Sequence, residues 1–115
     1  MSMKTEFEEK GGITIVRVKG KITIGEGDVK LRETIENLIT SGKKSVLLDL
    51  GGVSFMDSSG VGELVGCYTT VMNRGGKLKL LNLTKKIKDL LQVTQLITVF
   101  ECYQDETEAL ASFAA

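Results

Sequence analysis

The sequence contains no histidine, no tryptophan and no proline, and it has only two cysteines. Without histidine, a Ser-His-Asp triad, a Cys-His pair and a histidine-ligated metal site are excluded. Cys67 and Cys102 lie far apart and form no Cys-x-x-Cys motif. We interpret them as small buried hydrophobic residues of a reducing compartment, not as a disulfide or a redox pair. The sequence therefore predicts no metal site.

The chain also lacks an excess of charge of either sign. Lysine and arginine together number 15, as do aspartate and glutamate, so the formal net charge is zero. Nucleic-acid binders neutralise phosphates with a surplus of positive charge, so we expect no nucleic-acid partner. No apolar run is long enough to span a bilayer, and residues 1–10 lack the features of a signal peptide. We expect a cytoplasmic protein without membrane insertion, folded as one domain over residues 1–115.

Hydrophobic periodicity predicts strands that alternate with helices. Gly11-Gly12 predicts a hairpin, and Asp28, Thr84 and Asp105 are predicted to begin helices as caps. Strands are predicted over residues 7–10, 13–19, 45–50, 77–83 and 97–103. The two longer helices are predicted over 28–41 and 59–74. Irregular segments are predicted over 21–27 and 51–56. The order β-β-α-β-α-β-α-β-α predicts a single α/β domain with parallel neighbouring strands and an antiparallel edge hairpin.

The segment with the most candidate functional residues runs from Phe55 to Gly62 and contains Asp57-Ser58-Ser59-Gly60, at the start of a predicted helix. A nucleophile elbow requires Gly-x-Ser-x-Gly, but Met56 stands two residues before Ser58, and no histidine can activate the hydroxyl. A dinucleotide fingerprint fails as well, because the third glycine of this helix comes one residue too late. Neither enzyme interpretation holds, and no cofactor is predicted.

Two interpretations of the adjacent hydroxyls stay open on chemical grounds. Asp57 or Ser58 can accept a hydrogen bond from the first amides of the helix, a plain cap that stabilises it by about 1 kcal/mol. Alternatively, Ser58 is phosphorylated. A phosphoryl group adds a charge of about −1.5 to −2, which the positive end of the helix dipole tolerates. Asp57 would repel this charge. A partner surface that fits the neutral serine would no longer fit the modified one.

Three segments resemble the STAS domain of bacterial anti-sigma factor antagonists. They are Leu48-Asp49-Leu50, the run from Val53 to Gly62 that contains Asp-Ser-Ser-Gly, and Arg74-Gly75-Gly76-Lys77-Leu78. The resemblance covers essentially the whole chain in length and element order. It implies a mixed sheet of four to five strands flanked by about four helices, and it implies no catalysis.

The resemblance also implies a function and partners. Family members bind an anti-sigma factor that is also a serine kinase, and this binding releases a sigma factor. The kinase phosphorylates the serine after the aspartate of the motif, here Ser58, and a serine phosphatase reverses the modification. Ser59 matches the second, usually unmodified hydroxyl. The alternative is a STAS subunit of a membrane-associated or signalling assembly, in which Ser58 is never modified and only caps the helix.

One departure from the family pattern concerns the partner surface. Gly20-Lys21-Ile22-Thr23 stands where members often carry Gly-Glu-Leu-Asp, so Lys21 replaces an acid and Thr23 replaces an aspartate. This difference makes a divergent partner plausible. The residues that we assign to partner binding are Thr23, Asp57, Ser58, Ser59, Gly60, Gly62 and Gly66.

Two surface features each have two interpretations. Gly62, Gly66, Thr69 and Asn73 share a narrow sector of the predicted helix 59–74. This small-residue strip either packs closely against the preceding helix or is a landing surface for another protein. A run of basic residues is either a solvated face or a docking patch for an acidic partner. Its members are Arg74, Lys77, Lys79, Lys85, Lys86 and Lys88.

Overall fold

A computed structural model describes residues 3–114 as one α/β domain built on a five-stranded mixed sheet in the order β1-β2-β3-β4-β5. The strands are β1 (Lys4–Lys10), β2 (Ile13–Ile22), β3 (Ser45–Met56), β4 (Lys77–Leu81) and β5 (Cys102–Tyr103). The helices are α1 (Gly27–Thr40), α2 (Ser58–Asn73), α3 (Lys85–Val93) and α4 (Glu106–Ala111), with a 3-10 turn at Leu96–Thr98. The predicted fold class and element order are confirmed.

The first two strands form the predicted hairpin and the antiparallel edge of the sheet. Gly11 and Gly12 have φ angles of +58° and +81°, which glycine adopts without strain and which the tight turn requires. β1 pairs with β2 along its full length, from Lys10 opposite Ile13 to Lys4 opposite Lys19. The strand therefore begins earlier than residue 7, where the sequence pattern placed its start. All other neighbouring strands are parallel.

The sheet separates two hydrophobic cores. Alternate residues of the central strands face α1, α2 and α3, and the intervening residues face α4. The first core includes Val16, Leu48 and Leu80 from the sheet and Ile35, Leu64 and Ile87 from the helices. The second includes Ile15, Leu47, Leu81 and Ala109. Each large aliphatic side chain that is fully buried stabilises the fold by about 1.5–3 kcal/mol, so the helices are held mainly by these contacts.

The segment 51–56, predicted as a loop, is the second half of β3, and that prediction is wrong. It pairs with the end of β2, from Gly52 beside Lys19 to Met56 beside Ile22, so residues 21 and 22 are also strand rather than irregular. A register shift interrupts β2 between Arg17 and Lys19. A Cβ atom at Gly52 would lie 2.7 Å from Lys19 Cγ, so glycine permits the close approach of the two strands there.

The start of α1 also differs from its prediction. The helix begins at Gly27, which is preceded by Glu26 as the N-cap, whereas Asp28 lies within the first turn. A Cβ atom at Gly27 would lie 2.3 Å from the Lys21 carbonyl oxygen, so the helix starts where only glycine fits against β2. Asp28 therefore does not cap α1, and its carboxylate accepts a hydrogen bond from the Val29 amide instead.

The last predicted strand, over residues 97–103, is mostly wrong. Residues 96–98 form the 3-10 turn after Gln95, which has a φ angle of +63°, and only Cys102–Tyr103 is strand. Likewise, β4 ends at Leu81 because Asn82 has a φ angle of +59°. The two caps after these strands are confirmed. Thr84 accepts a hydrogen bond from the Ile87 amide at 3.3 Å, and Asp105 accepts one from the Thr107 amide at 3.0 Å.

One member of the predicted basic face is buried rather than solvated. Lys79 lies on the same side of the sheet as Leu81 and packs beneath α4. Its ammonium group donates hydrogen bonds to Ser112 at the carbonyl oxygen (2.9 Å) and the hydroxyl (3.0 Å), and it pairs with Glu101 at 3.2 Å. It also lies 4.9 Å from the centre of the Phe113 ring. Lys79 therefore anchors the C-terminal helix and is not available to a partner.

Candidate functional site

The candidate site is centred on Asp57, the N-cap of α2. Its carboxylate accepts a hydrogen bond from the Gly60 amide at 2.9 Å and another from the Ile24 amide at 3.0 Å. The first bond is the N-cap interaction, and the second joins the loop after β2 to the start of α2. The amides of Gly60 and Ile24 hold the pKa of the Asp57 carboxyl below its ordinary value, because they bind the ionised form. Asp57 is therefore the helix cap.

Ser58 is the first residue of α2, and it is exposed. Its hydroxyl has no hydrogen-bond partner within residues 3–114, because Asp57 already takes the cap position. Ser59 beside it is half-buried. The plain cap is therefore confirmed at Asp57, and Ser58 does not supply it. The Ser58 hydroxyl is exposed and takes no part in the hydrogen bonds among the described residues 3–114.

Gly60 is buried at the point where α2 touches the end of β2. A Cβ atom there would lie 2.3 Å from the Ile22 carbonyl oxygen and 2.7 Å from Met56 Cγ. The Asp57 amide approaches the same Ile22 carbonyl at 3.4 Å. Glycine therefore lets the first turn of α2 rest on the strand, which gives Gly60 a packing role. Its assignment to partner contact stays a prediction.

Thr23, which we predicted to bind a partner, lies in the loop after β2. It is next to Ile24, whose amide is hydrogen-bonded to Asp57. Thr23 is half-buried, and its carbonyl oxygen accepts a hydrogen bond from the Asp28 amide at 3.1 Å. The next residue, Ile24, is held by Asp57 through its amide, yet 73% of its surface is exposed. Ile24 was missed by the sequence analysis, because a single isoleucine in a glycine-rich segment carries no periodic signal.

Phe55 is a second exposed apolar residue that the sequence analysis did not assign to partner binding. It lies at the end of β3, two residues before Asp57, and 49% of its surface is exposed. Ile24 and Phe55 thus approach the α2 N-terminus from two different elements. Large exposed apolar side chains next to an exposed hydroxyl are typical of a protein-binding surface. The sequence analysis placed Phe55 in the candidate segment, but its exposure was not predictable from the sequence pattern.

The small-residue strip has free space beside Gly62, its first glycine. A Cβ atom at Gly62 would have no neighbour within 4 Å, and one at Gly66 would meet only Glu63 Oε2, at 3.5 Å. That carboxylate belongs to α2 itself and pairs with Arg32 of α1 at 3.1 Å. The two glycines therefore are not required for a close approach of α1. This geometry disfavours the close-packing interpretation of the strip and leaves the landing surface as the prediction.

Two negative findings apply to the part of the chain that the structure describes. Within residues 3–114 there is no group of three or more histidine, cysteine, aspartate or glutamate side chains that could hold a metal ion. No helix in that range is long and apolar enough to cross a membrane. Both cysteines are free. Cys67 is buried as predicted, whereas Cys102, for which burial was also predicted, is only half-buried.

Comparisons with known proteins agree with the fold. The family model for the STAS domain matches residues 4–109. The chain is 27% identical over 110 residues to an anti-sigma F factor antagonist of Paenibacillus polymyxa, a match that covers 96% of this chain and 94% of that protein. It is 31% identical over 101 residues to an anti-sigma-B factor antagonist of Bacillus subtilis, covering 88% and 91% of the two chains.

A solved structure shows the same fold. The phosphorylated form of the Bacillus cell fate determinant SpoIIAA superposes with a TM-score of 0.72 at 23% sequence identity, over 95% of this chain and 98% of that one. The family match extends over nearly all of the described residues, and the named relatives are matched along most of their own length. The chain therefore belongs to the STAS domain family and, within it, to the anti-sigma factor antagonists.

Proposed function

We propose that the chain binds an anti-sigma factor with serine-kinase activity, that this binding releases a sigma factor, and that phosphorylation of Ser58 switches it off. The observation that carries the proposal is the division of roles between Asp57 and Ser58. Asp57 makes the cap and the contact with the loop, while the Ser58 hydroxyl is exposed and unbonded within residues 3–114. A modification at Ser58 can therefore change the surface without breaking the fold.

The electrostatics at this position suit a phosphorylation switch. A phosphoryl group adds a charge of about −1.5 to −2 and three acceptor oxygens, and the first turn of α2 tolerates negative charge. The ionised carboxylate of Asp57 stands directly beside it, so the modified site becomes strongly anionic. A partner surface matched to a neutral hydroxyl would then have to bring that charge out of water, which is costly. The existence of a phosphorylated form of SpoIIAA is consistent with this mechanism.

The binding surface that we propose surrounds Ser58 on three sides. Thr23 and Ile24 lie on the loop side, Phe55 lies on the strand side, and Gly62 with Gly66 continues along α2. Exposed apolar side chains supply area for contact, and the open glycines let a partner backbone approach the helix. Lys21, exposed on β2 opposite Phe55, places positive charge where relatives often carry an acid. The partner of this chain is therefore expected to differ from theirs in charge at that point.

A binding assay with the purified anti-sigma factor of the producing organism tests the proposal. We expect Ser58→Asp to weaken binding strongly with an unchanged melting temperature, whereas Ser58→Ala binds like the parent. Because Ser58 is not the cap, the alanine variant should lose at most about 0.5 kcal/mol of stability. Ser59→Ala is the matched control for the modification alone, and it should still be phosphorylated at Ser58. Equal affinity of the parent and Ser58→Asp would overturn the proposal.

Mass spectrometry of the protein from its native cell tests the modification itself. We expect a phosphorylated species that phosphatase treatment removes, with fragmentation placing the phosphate on Ser58 and not on Ser59. An unmodified mass in every growth condition would favour the alternative, a STAS subunit in which Ser58 is never modified. Acting on a sigma factor also requires the chain to be present in the cytoplasm, which fractionation of the same cells would test.

A further inference from the structure

An apolar groove of about 160 Å³ lies between the end of β3 and helix α3. It exists because β3 continues to Met56, whereas its pairing with β4 ends at Asp49 beside Leu81. The chain leaves the sheet after Leu81 and enters α3 at Lys85, so the last part of β3 faces a helix instead of a strand. Val53, Phe55, Ile87 and Leu90 are among the residues that line the groove.

The groove continues into an exposed stripe along α3. At about 100° per residue, Lys86, Leu90 and Val93 fall within about 60° of one another on the helix surface. Leu90 is half-buried at the groove, and 81% of the Val93 surface is exposed. Leu90 lines the groove together with Phe55, and Val93 lies beyond it on the same face of the helix. Such apolar exposure stabilises nothing in the isolated domain, and it is typical of a contact surface.

The charge at the groove has one sign. Lys86 is the only charged side chain among the described residues that line it. Lys86 makes no ion pair within residues 3–114, in contrast to its neighbour Lys85, which pairs with Asp89 at 2.8 Å. A ligand that covers the groove therefore meets an apolar floor and an uncompensated ammonium group. A carboxylate is the complementary group, because it forms a charge-assisted hydrogen bond with lysine.

We propose that this groove is a second docking surface for the anti-sigma factor, filled by an apolar side chain of a partner segment that also carries a carboxylate for Lys86. The inference rests on the proposed function and names the chemistry of its partner. Phe55 links the two surfaces, since it lines the groove and lies two residues before Asp57. A partner that covers Ser58 and Phe55 thus extends naturally onto α3, where its contacts are independent of the Ser58 hydroxyl.

Charge reversal on α3 tests the docking surface with a matched control. Lys86→Glu and Lys88→Glu change the net charge equally on one helix, and both residues are exposed, but Lys88 does not line the groove. Titration of the purified anti-sigma factor against each variant should show about tenfold weaker binding for Lys86→Glu and little change for Lys88→Glu. Val93→Ser, at an exposed position, should weaken binding several-fold with an unchanged melting temperature.

The outcomes separate this inference from the proposed function. If Ser58→Asp weakens binding while Lys86→Glu binds as tightly as Lys88→Glu, the docking surface is wrong and the switch stands. If Lys86→Glu and Val93→Ser weaken binding but Ser58→Asp does not, the docking surface stands and the switch falls. Equal losses for Lys86→Glu and Lys88→Glu would show only long-range attraction and would also overturn the inference. An anti-sigma factor that does not bind the parent chain overturns both.

Discussion

The carboxylate of Asp57 accepts a hydrogen bond at 3.0 Å from the backbone amide of Ile24, a residue 33 positions earlier in the chain. One aspartate thus caps α2 and fixes the loop that displays an exposed isoleucine beside Ser58. Asp57 therefore holds the loop and the helix together, whereas the exposed hydroxyl of Ser58 takes no part in these contacts.

Substitutions of Asp57 should separate the cap from the contact with the loop. Asp57→Asn retains one side-chain oxygen, which can still accept from Gly60, but it loses the acceptor for Ile24. Asp57→Ala loses both. We expect the urea midpoint to fall in the order parent, Asp57→Asn, Asp57→Ala, and hydrogen exchange at the Ile24 amide to become several-fold faster in both variants. An unchanged exchange rate at Ile24 would show that the loop is held by other contacts.

Acid should remove the stability that the ionised carboxylate of Asp57 contributes through its hydrogen bonds. Its pKa is lower in the folded chain than in the unfolded chain, so its hydrogen bonds contribute fully above the ordinary pKa of an aspartate. This contribution is lost as the pH falls through the lowered pKa of the folded state. The difference in melting temperature between the parent and Asp57→Asn should therefore be largest near neutral pH and should shrink in acid. A difference that is constant across this range contradicts the assignment.

Two glycines on the same helix should respond to alanine in opposite directions. At Gly60 the added methyl group meets the Ile22 carbonyl oxygen at 2.3 Å, so Gly60→Ala should lower the free energy of unfolding by about 1–3 kcal/mol. At Gly62 it meets nothing within 4 Å, so Gly62→Ala should raise that free energy by up to about 1 kcal/mol, since alanine favours helix. Chemical denaturation measures both. Similar effects at the two positions would refute this distinction.

A larger side chain on the small-residue strip should block the partner without harming the fold. A side chain at Gly66 begins in ordinary contact with Glu63 and extends over the surface of α2. Gly66→Gln should keep or slightly raise the melting temperature and abolish binding of the anti-sigma factor. Gly66→Ala is the control, with a similar gain in helix propensity but little bulk, and it should still bind. A large fall in the melting temperature of Gly66→Gln would instead support internal packing.

Cys67 should be unreactive in the folded chain. Burial first, and then the charge of Glu63, raise the pKa of its thiol to about 12, and burial also raises the pKa of Cys102. Alkylation requires the thiolate, so at pH 8 Cys67 should stay unmodified by iodoacetamide while a model thiol reacts fully. In denaturing urea both cysteines should react. Intact mass with peptide mapping follows the modification, and rapid labelling of folded Cys67 would show that its burial is incomplete.

Features that depend on short segments were determined by the sequence. The hairpin at Gly11-Gly12, the caps at Thr84 and Asp105 and the alternation of strands with helices each follow from the neighbouring residues, and the structure confirms them. The Asp57-Ser58 motif was recognisable for the same reason. The order of the elements and the position of the candidate site could therefore be predicted from the sequence without the structure.

The contacts between segments that are distant in the sequence were decided only by the tertiary structure. The glycines at 51 and 52 predicted a loop, but β2 lies alongside and keeps the segment extended to Met56. The same extension brings Phe55 to the site and opens the groove beside α3. Whether Ile24 and Phe55 are covered or exposed cannot follow from their own sequence positions, because the exposure of an apolar side chain depends on which other elements pack over it. The surface that we propose for partner binding was therefore decided by packing, whereas the position of Ser58 at the start of α2 was determined by the sequence.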